Sequence, residues 1–226
     1  MIKIVGLGPS TIDEMSVGAY RTIRCAPIVF VRTAHHPAAL ELAAEGISME
    51  AMDGIYESAD TFEEVYSTIA ERILGEAEIH PEIVYAVPGH PLVGEIAVRI
   101  ILRKARDRGV EVEVVGSPSF LEASLESVGR DLDEGLKIID ALSMGRVSPD
   151  TDSDNLIYQV YDRRVASETK LRLMERYPDD FEIAMIFGGS PKGERARWMP
   201  LYMMDRCDCD HLTSAYIPAI QAPTQA

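Results

Sequence analysis

With 226 residues, 46% hydrophobic and 26% charged, the chain is long enough for one large domain or two small ones with sizeable cores. A formal net charge of −15 argues against a generic nucleic-acid binder, which must neutralise phosphates. No apolar run approaches the roughly 18–20 residues of a membrane helix, and the N-terminus enters a strand pattern at once; neither a membrane span nor a signal peptide is expected, and the cytoplasm is the default location.

In chain order, Ile2-Lys3-Ile4-Val5 reads as a buried strand, ended by the turn Gly6-Leu7-Gly8-Pro9-Ser10. The pattern predicts a helix within 16–25, a short strand over 28–31, and a helix over 38–45 stopped by Gly46. Residues 61–78 form an amphipathic helix: Thr61 and Glu64 fit a capping box, and Phe62, Val65, Ile69, Ile73 and Leu74 mark its apolar face. A strand over 82–87 meets the turn Pro88-Gly89-His90-Pro91, a helix runs over 92–108 to Gly109, and 110–115 alternates as a strand. This β-α-β-α-β order predicts a mostly parallel sheet with helices packed on it.

Gly116-Ser117-Pro118 reads as a hinge, and the texture changes after it. A helix over 119–128 is followed by strands near 136–142 and 156–161, a helix over 164–176, and strands near 181–187 and 199–205. Consecutive strands with few helices predict a mixed sheet with antiparallel pairs. The expected organisation is an N-terminal α/β domain over 1–116, a C-terminal α/β domain over 117–218, and a disordered tail over 219–226.

Two strands end in glycine- and proline-rich turns. Each alone has a plain reading as turn chemistry. Together, in an α/β pattern, they point to the carboxyl edge of a sheet, where such folds bind ligands. The first turn is not a dinucleotide fingerprint: the third glycine falls on Thr11, Pro9 blocks a smooth helix entry, and no acidic residue stands about 20 positions on. No Gly-Lys-Ser or Gly-Lys-Thr occurs, so a P-loop is excluded.

Cys207, Cys209 and His211 would share one face if extended, but no partner CxxC supplies a fourth ligand, and no metal is expected. Cys25 completes an odd, small set of cysteines that argues against a disulfide framework. His35 and His36, beside Pro37, suit either a solvated loop or an anion and proton-transfer role. Arg99, Arg103, Lys104, Arg106 and Arg108 have the spacing of a solvated helix face, and Met199, Met203 and Met204 read as core.

The chain resembles the tetrapyrrole (corrin/porphyrin) methylase superfamily of S-adenosylmethionine-dependent methyltransferases. Within it, the chain is most similar to the methylase-like half of proteins that carry a MazG-type nucleoside triphosphate pyrophosphohydrolase domain behind it. The resemblance runs through Ile4 to Pro9, Phe30 to Pro37, Tyr85 to Glu95, Ser119-Phe120-Leu121, Gln159 to Arg163, Leu173 to Asp180 and Leu212 to Pro218. It implies two α/β domains with an interdomain cofactor cleft, and a homodimer.

Carried over by position, the resemblance implies that Pro9 approaches the cofactor and that Gly89, His90 and Val93 cradle its methionine part. Ser119 and Phe120 match the domain junction, Val160 and Tyr161 the segment walling the adenosine, and Phe187 a further contact. Most of the superfamily has Gly-Asp-Pro where this chain has Gly89-His90-Pro91; backbone contacts survive that change, whereas a carboxylate contact to the cofactor ammonium does not. His90, His35 and Tyr161 are the candidates for a general base, and the catalytic residue stays open.

The implied activity is methyl transfer to the carbon or nitrogen of an unidentified small-molecule acceptor. Tetrapyrroles of the family are polycarboxylates, an awkward fit to a charge of −15, although Arg32, His35 and His36 offer a local anion site. Two other expectations stand beside it: a non-catalytic cofactor sensor regulating a fused or partner MazG-type pyrophosphohydrolase, and a peptide or protein methyltransferase. The hydrolase activity itself is not expected: Glu122 and Glu126 are spaced by four, not three, and the chain stops just after Tyr216-Ile217-Pro218. Either a free-standing methylase or a fragment of a fusion fits that end.

Overall fold

Sheet order, more than helix packing, sets where the chain can act. The computed structural model describes residues 1–59, 61–133, 135–188 and 195–220, and divides into two units, Met1–Leu121 and Glu122–Ala226. The first contains β1 (Ile2–Gly6), α1 (Val17–Cys25), β2 (Val29–Val31), α2 (Pro37–Ala44), β3 (Glu50–Ala51), α3 (Asp53–Ser58), α4 (Phe62–Ile79), β4 (Ile83–Val87), α5 (Ile96–Arg108) and β5 (Val112–Val115). Helix α6 (Phe120–Val128) crosses the unit boundary. The second holds β6 (Leu136–Asp140), β7 (Asp154–Tyr158), α7 (Arg163–Met174), β8 (Glu182–Phe187), β9 (Ala196–Pro200) and β10 (Thr213–Ile217).

The five strands of the first unit are all parallel, in the order β3-β2-β4-β1-β5. The apolar residues of β1 and β4 are fully buried, as expected for strands covered on both faces. Helix α4 forms as its sequence predicts: the Thr61 hydroxyl accepts from the Glu64 amide at 3.2 Å, and Val65, Ile69, Ile73 and Leu74 are buried. Burial of each such side chain contributes about 1.5–3 kcal/mol. Phe62, assigned to that face by spacing, stands at the helix start instead, 71% exposed and stacked on Tyr66.

The chain leaves β1 toward β2 on one side, and leaves β4 toward β5 on the other. The neighbours β1 and β4 therefore flank a topological switch point, the place where open α/β sheets leave a crevice at their carboxyl ends.

The second unit has a mixed sheet in the order β6-β7-β10-β8-β9. Strands β6 and β7 are parallel; β10 runs antiparallel to both β7 and β8, and β8 to β9. Central, fully buried β10 was not anticipated from the sequence. Helix α7 starts at Asp162, whose carboxylate accepts from the Val165 amide at 2.7 Å, and buries Val165, Ala166, Thr169 and Leu173. Asn155 is fully buried: its amide donates to the Asp150 and Ser153 carbonyls and to the Tyr177 hydroxyl, and its oxygen accepts from the Asp150 amide.

Several boundaries differ from the sequence reading. The strand near 199–205 is β9 followed by a 3-10 stretch, Leu201–Arg206, which Pro200 opens. The helix over 92–108 begins only at Ile96, because residues 91–94 turn. The first unit extends through Leu121, past the expected hinge near 116, because the Ser117 hydroxyl donates to the Gly6 carbonyl at 2.7 Å and accepts from the Ser16 amide at 3.0 Å. At the other end, the Ala219 amide donates to Asp154 and the Ile220 amide to the Thr151 carbonyl; the rest of the expected tail, 221–226, lies outside the described residues.

Candidate functional site

Past the ends of β1 and β4, the two chains keep hold of each other. The Leu7 amide donates to the Val87 carbonyl at 2.8 Å, and Gly8 and Gly89 exchange amide–carbonyl bonds of 3.2 and 2.8 Å. This bridge needs a very close approach: a Cβ on Gly6 would stand 2.4 Å from the Gly89 carbonyl oxygen. Gly116 is under similar constraint from His90, whose Nε2 lies 2.5 Å from where its Cβ would be. The His90 Nδ1 accepts from the Leu92 amide at 3.1 Å, so the imidazole supports its own turn.

This edge brings Pro9 together with Gly89, His90 and Val93, the residues expected to cradle the cofactor's methionine part. Pro9 follows Gly8, His90 follows Gly89, and the Val93 amide donates to the His90 carbonyl at 2.9 Å. Buried Ser119 runs alongside Gly89, its Cα 3.7 Å from the would-be Cβ there, and the Phe120 ring stands next to Gly94 in the same way at 3.9 Å. Helix α5 begins here with no side-chain cap. Its first amides take no side-chain cap, an arrangement suited to a carboxylate.

Glu95, the N-cap residue of α5, has its side chain engaged elsewhere. Glu95 Oε1 accepts from Arg32 Nη1 at 2.9 Å, and Arg32 Nε donates to the Tyr56 hydroxyl at 3.0 Å. Only 8% of the Glu95 side chain is exposed; burial raises its carboxyl, with Arg32 working the other way. For Arg32, burial pulls downward but Glu95 and Tyr56 outweigh it. Tyr85, fully buried in β4 and within the field of Glu95 and Arg32, has a hydroxyl with no partner, and burial raises it strongly. His36, at the N-cap of α2, is 9% exposed, and its Nδ1 is also unpartnered. Burial takes its imidazole down to about 4, against a hydrogen bond to the Gly8 backbone and aided by the charge of Arg32. Each unpaired buried polar group costs about 1–3 kcal/mol, so two near a half-buried ion pair mark this corner.

In the second unit, Val160, Tyr161 and Phe187 also share one sheet edge. Gln159, just after β7, has φ 62°, an uncommon conformation for a residue with a side chain. It turns the chain so that the buried Val160 donates its amide to the Thr213 carbonyl at 3.1 Å, while Tyr161 stays 38% exposed. Phe187 pairs with the same Thr213 across β8 and β10, and the Arg197 guanidinium stands 5.7 Å from its ring.

Other sequence candidates fall elsewhere. His35 is exposed beyond β2. Cys207 is buried with its sulfur 3.6 Å from Met199, and burial raises the Cys209 thiol to about 11. Among the described residues, no group of three or more His, Cys, Asp and Glu is placed to hold a metal ion. Lys104 and Arg108 of the basic face pair with Glu71 of α4 at 2.6 and 2.7 Å. Met204 is core, whereas Met199 and Met203 are partly exposed. Among the described residues, no helix is long and apolar enough to cross a membrane.

Sequence reasoning did not find Glu95, Tyr56 or Tyr85. The one available signal was a tyrosine inside the apolar run Ile83 to Val87, whose hydroxyl must find a partner or stay unpaired.

Comparison with known proteins agrees with this architecture. Residues 1–204 match the family of Tetrapyrrole (Corrin/Porphyrin) Methylases. The uncharacterized protein YabN of Bacillus subtilis (strain 168) is 39% identical over 221 residues, covering 97% of this chain and 45% of YabN, so the chain spans about half that relative's length. Among solved structures, uroporphyrin-III C-methyltransferase from Thermus thermophilus superposes with a TM-score of 0.76 at 16% identity, covering 96% of this chain and 93% of that one. The same enzyme complexed with S-adenosyl homocysteine gives 0.65 at 19% identity, covering 95% of each chain. Diphthine synthase gives 0.70 at 14% identity, covering 98% of this chain and 91% of that one. The family match over most of the length, on a parallel first sheet and a mixed second one, shows that this chain belongs to the tetrapyrrole (corrin/porphyrin) methylase family.

Proposed function

We propose that the protein is an S-adenosylmethionine-dependent methyltransferase acting on a small molecule. The observation that carries this reading is the Gly8–Gly89 bridge, which fuses two loops at the switch point beside the uncapped start of α5. The residues fit the cofactor's methionine part. The amides at the start of α5 and the backbone of Gly89, His90 and Val93 suit an amino-acid head group, which compensates for the missing carboxylate at position 90.

When bound, S-adenosylmethionine supplies a methyl group on a sulfonium whose departure as a neutral thioether needs no acid. The chain's task is then to orient an acceptor in line, exclude water and accept a proton if the acceptor carries one. Neither His90, whose Nδ1 is occupied by the Leu92 amide, nor exposed His35 is arranged as a buried base. Support for the activity comes from the family and from the fold shared with uroporphyrin-III C-methyltransferase.

The test is calorimetric titration with S-adenosylhomocysteine. One site per chain with micromolar or tighter affinity is the expected result, weakened at least about tenfold by Gly116→Val, which drives a side chain into His90. No heat at saturating nucleoside refutes the reading. A second reading, a cofactor sensor for a fused partner, is favoured by one fact: the relative YabN is much longer than this chain. Its signature is cofactor binding with no methyl transfer to any acceptor.

A further inference from the structure

The second unit carries a cavity of about 360 Å³ that opens to solvent near the starts of β6 and β7. Lys137 of β6, the loop 146–150 and Arg176, just past the end of α7, line it. Val160 and Tyr161 stand past the other end of β7, so this is a separate place in the unit.

Its wall is fixed from both ends. The Arg146 and Val147 amides donate to the Ser143 carbonyl at 2.8 and 3.0 Å. At the far end of the loop, the Asp150 amide donates to Asn155 Oδ1 at 2.8 Å. The Asp150 carbonyl accepts from Asn155 Nδ2 and from the Tyr177 hydroxyl, each at 2.6 Å. Between them Pro149 is buried. Lys137 is the register partner of Asn155 across β6 and β7, which puts it beside the loop that Asn155 holds.

The charge here runs against that of the chain. With 37 acidic residues against 22 basic ones, the chain has carboxylates enough for every cation. Nearby, Lys170 pairs with Asp205 and Arg172 with Glu175. Among the described residues, no acidic side chain forms an ion pair with Lys137, Arg146 or Arg176, and the Ser148 hydroxyl has no partner. Asp150 is the one carboxylate in the lining, and it accepts from the Asp152 amide at 3.0 Å. That bond first, then Ser153, Lys137 and Arg176, hold its carboxyl below the ordinary range. Three cations against one carboxylate leave a surplus of two positive charges.

Two guanidinium groups, an ammonium and a hydroxyl present donors from several sides. A planar carboxylate has only two oxygens to offer them. A phosphate monoester carries close to two negative charges at neutral pH and three terminal oxygens in a tetrahedral spread, which matches both the charge and the donors. The cavity lies at the lower end of the range of about 300–1,000 Å³ for small-molecule sites, more than a bare phosphate fills. Ionised Asp150 can only accept, so it suits a hydroxyl on the rest of the ligand.

We infer that Lys137, Arg146, Ser148 and Arg176 form a binding site for a small organic phosphate, with the phosphoryl group among the cations and a ligand hydroxyl toward Asp150. The site goes beyond the methyltransferase reading and does not depend on it.

The test is calorimetric titration of the whole chain in about 0.1 M salt, where long-range attraction is screened, with ribose 5-phosphate, ribose and succinate as probes. Ribose 5-phosphate should bind at one site per chain with submillimolar affinity, and ribose and succinate at least about tenfold more weakly. Arg146→Ala and Arg176→Ala should each weaken ribose 5-phosphate about tenfold, the loss of charge-assisted hydrogen bonds. Both side chains are exposed, so both variants should melt with the parent. Arg164→Ala removes the same charge from α7 outside the cavity and should leave the affinity within about twofold. No binding of ribose 5-phosphate, succinate binding as tightly, unchanged affinity in both cavity variants, or an equal loss in Arg164→Ala overturns the assignment.

Discussion

Replacing Gly6 by alanine adds one methyl group at the most crowded of the first unit's described glycines. That carbon would stand 2.4 Å from the Gly89 oxygen, 3.0 Å from Pro91 Cδ and 3.0 Å from the Ser117 amide nitrogen. No flexible side chain can swing away; the β4 loop or the 116–118 segment must move by about an ångström, an overpacking cost of about 1–3 kcal/mol. The Gly8–Gly89 pair of bonds then stretches, and each lost bond adds about 0.5–1.5 kcal/mol. The expected loss is about 2–6 kcal/mol, read as a lower midpoint in urea unfolding. Gly75→Ala is the internal control: it lies in α4 with nothing within 4 Å of its would-be Cβ, and should gain about 0.5–1 kcal/mol from helix entropy. The affinity for S-adenosylhomocysteine should fall at least about tenfold in Gly6→Ala and stay unchanged in Gly75→Ala. A Gly6→Ala protein within about 0.5 kcal/mol of the parent, with its nucleoside affinity intact, would refute the idea that this close approach shapes the site.

Between the folded imidazole's value of about 4 and its ordinary 6.5, the unfolded chain binds a proton at His36 that the folded chain does not. Stability therefore rises with pH across that window and is lost as pH falls through it, by about 3 kcal/mol in all. In urea titrations over this range, His36→Gln should lose that part of the slope; an unchanged slope would place the imidazole in solvent. Asn155→Ala strips four hydrogen bonds from a fully buried position and should cost about 3–5 kcal/mol by thermal or urea unfolding. Gln159→Gly removes a side chain from φ 62° and should stabilise by about 1 kcal/mol, whereas Gln159→Val should destabilise; equal melting temperatures for the two would contradict the left-handed turn.

The loops of the first unit were legible because glycine and proline punctuate them: Gly6-Leu7-Gly8-Pro9 and Pro88-Gly89-His90-Pro91 end apolar runs where the strands end. The capping pair Thr61 and Glu64 fixed the start of α4 in the same way. Strand β10 was not legible. Thr213-Ser214-Ala215-Tyr216-Ile217 mixes polar and apolar residues, yet all five are buried, because sheet neighbours on both sides and a contact from Tyr216 to Asp154 accept its polar groups. The two-residue strand β3 and the short helix α3 exist through partners rather than through a pattern of their own. The Arg32 corner was half visible. Arg32 and His36 stood out as local cations, but Glu95 lies 63 residues from Arg32, and only pairing β2 with β4 brings them together. That pairing reversed the meaning of Arg32: a suspected anion site became a neutralised ion pair.

The most direct test of the account is a crystal structure of the chain with S-adenosylhomocysteine. Density for the amino-acid part is expected against Gly89, His90, Val93 and the start of α5. Nucleoside bound away from the Gly8–Gly89 loops, or none at saturating concentration, would contradict it.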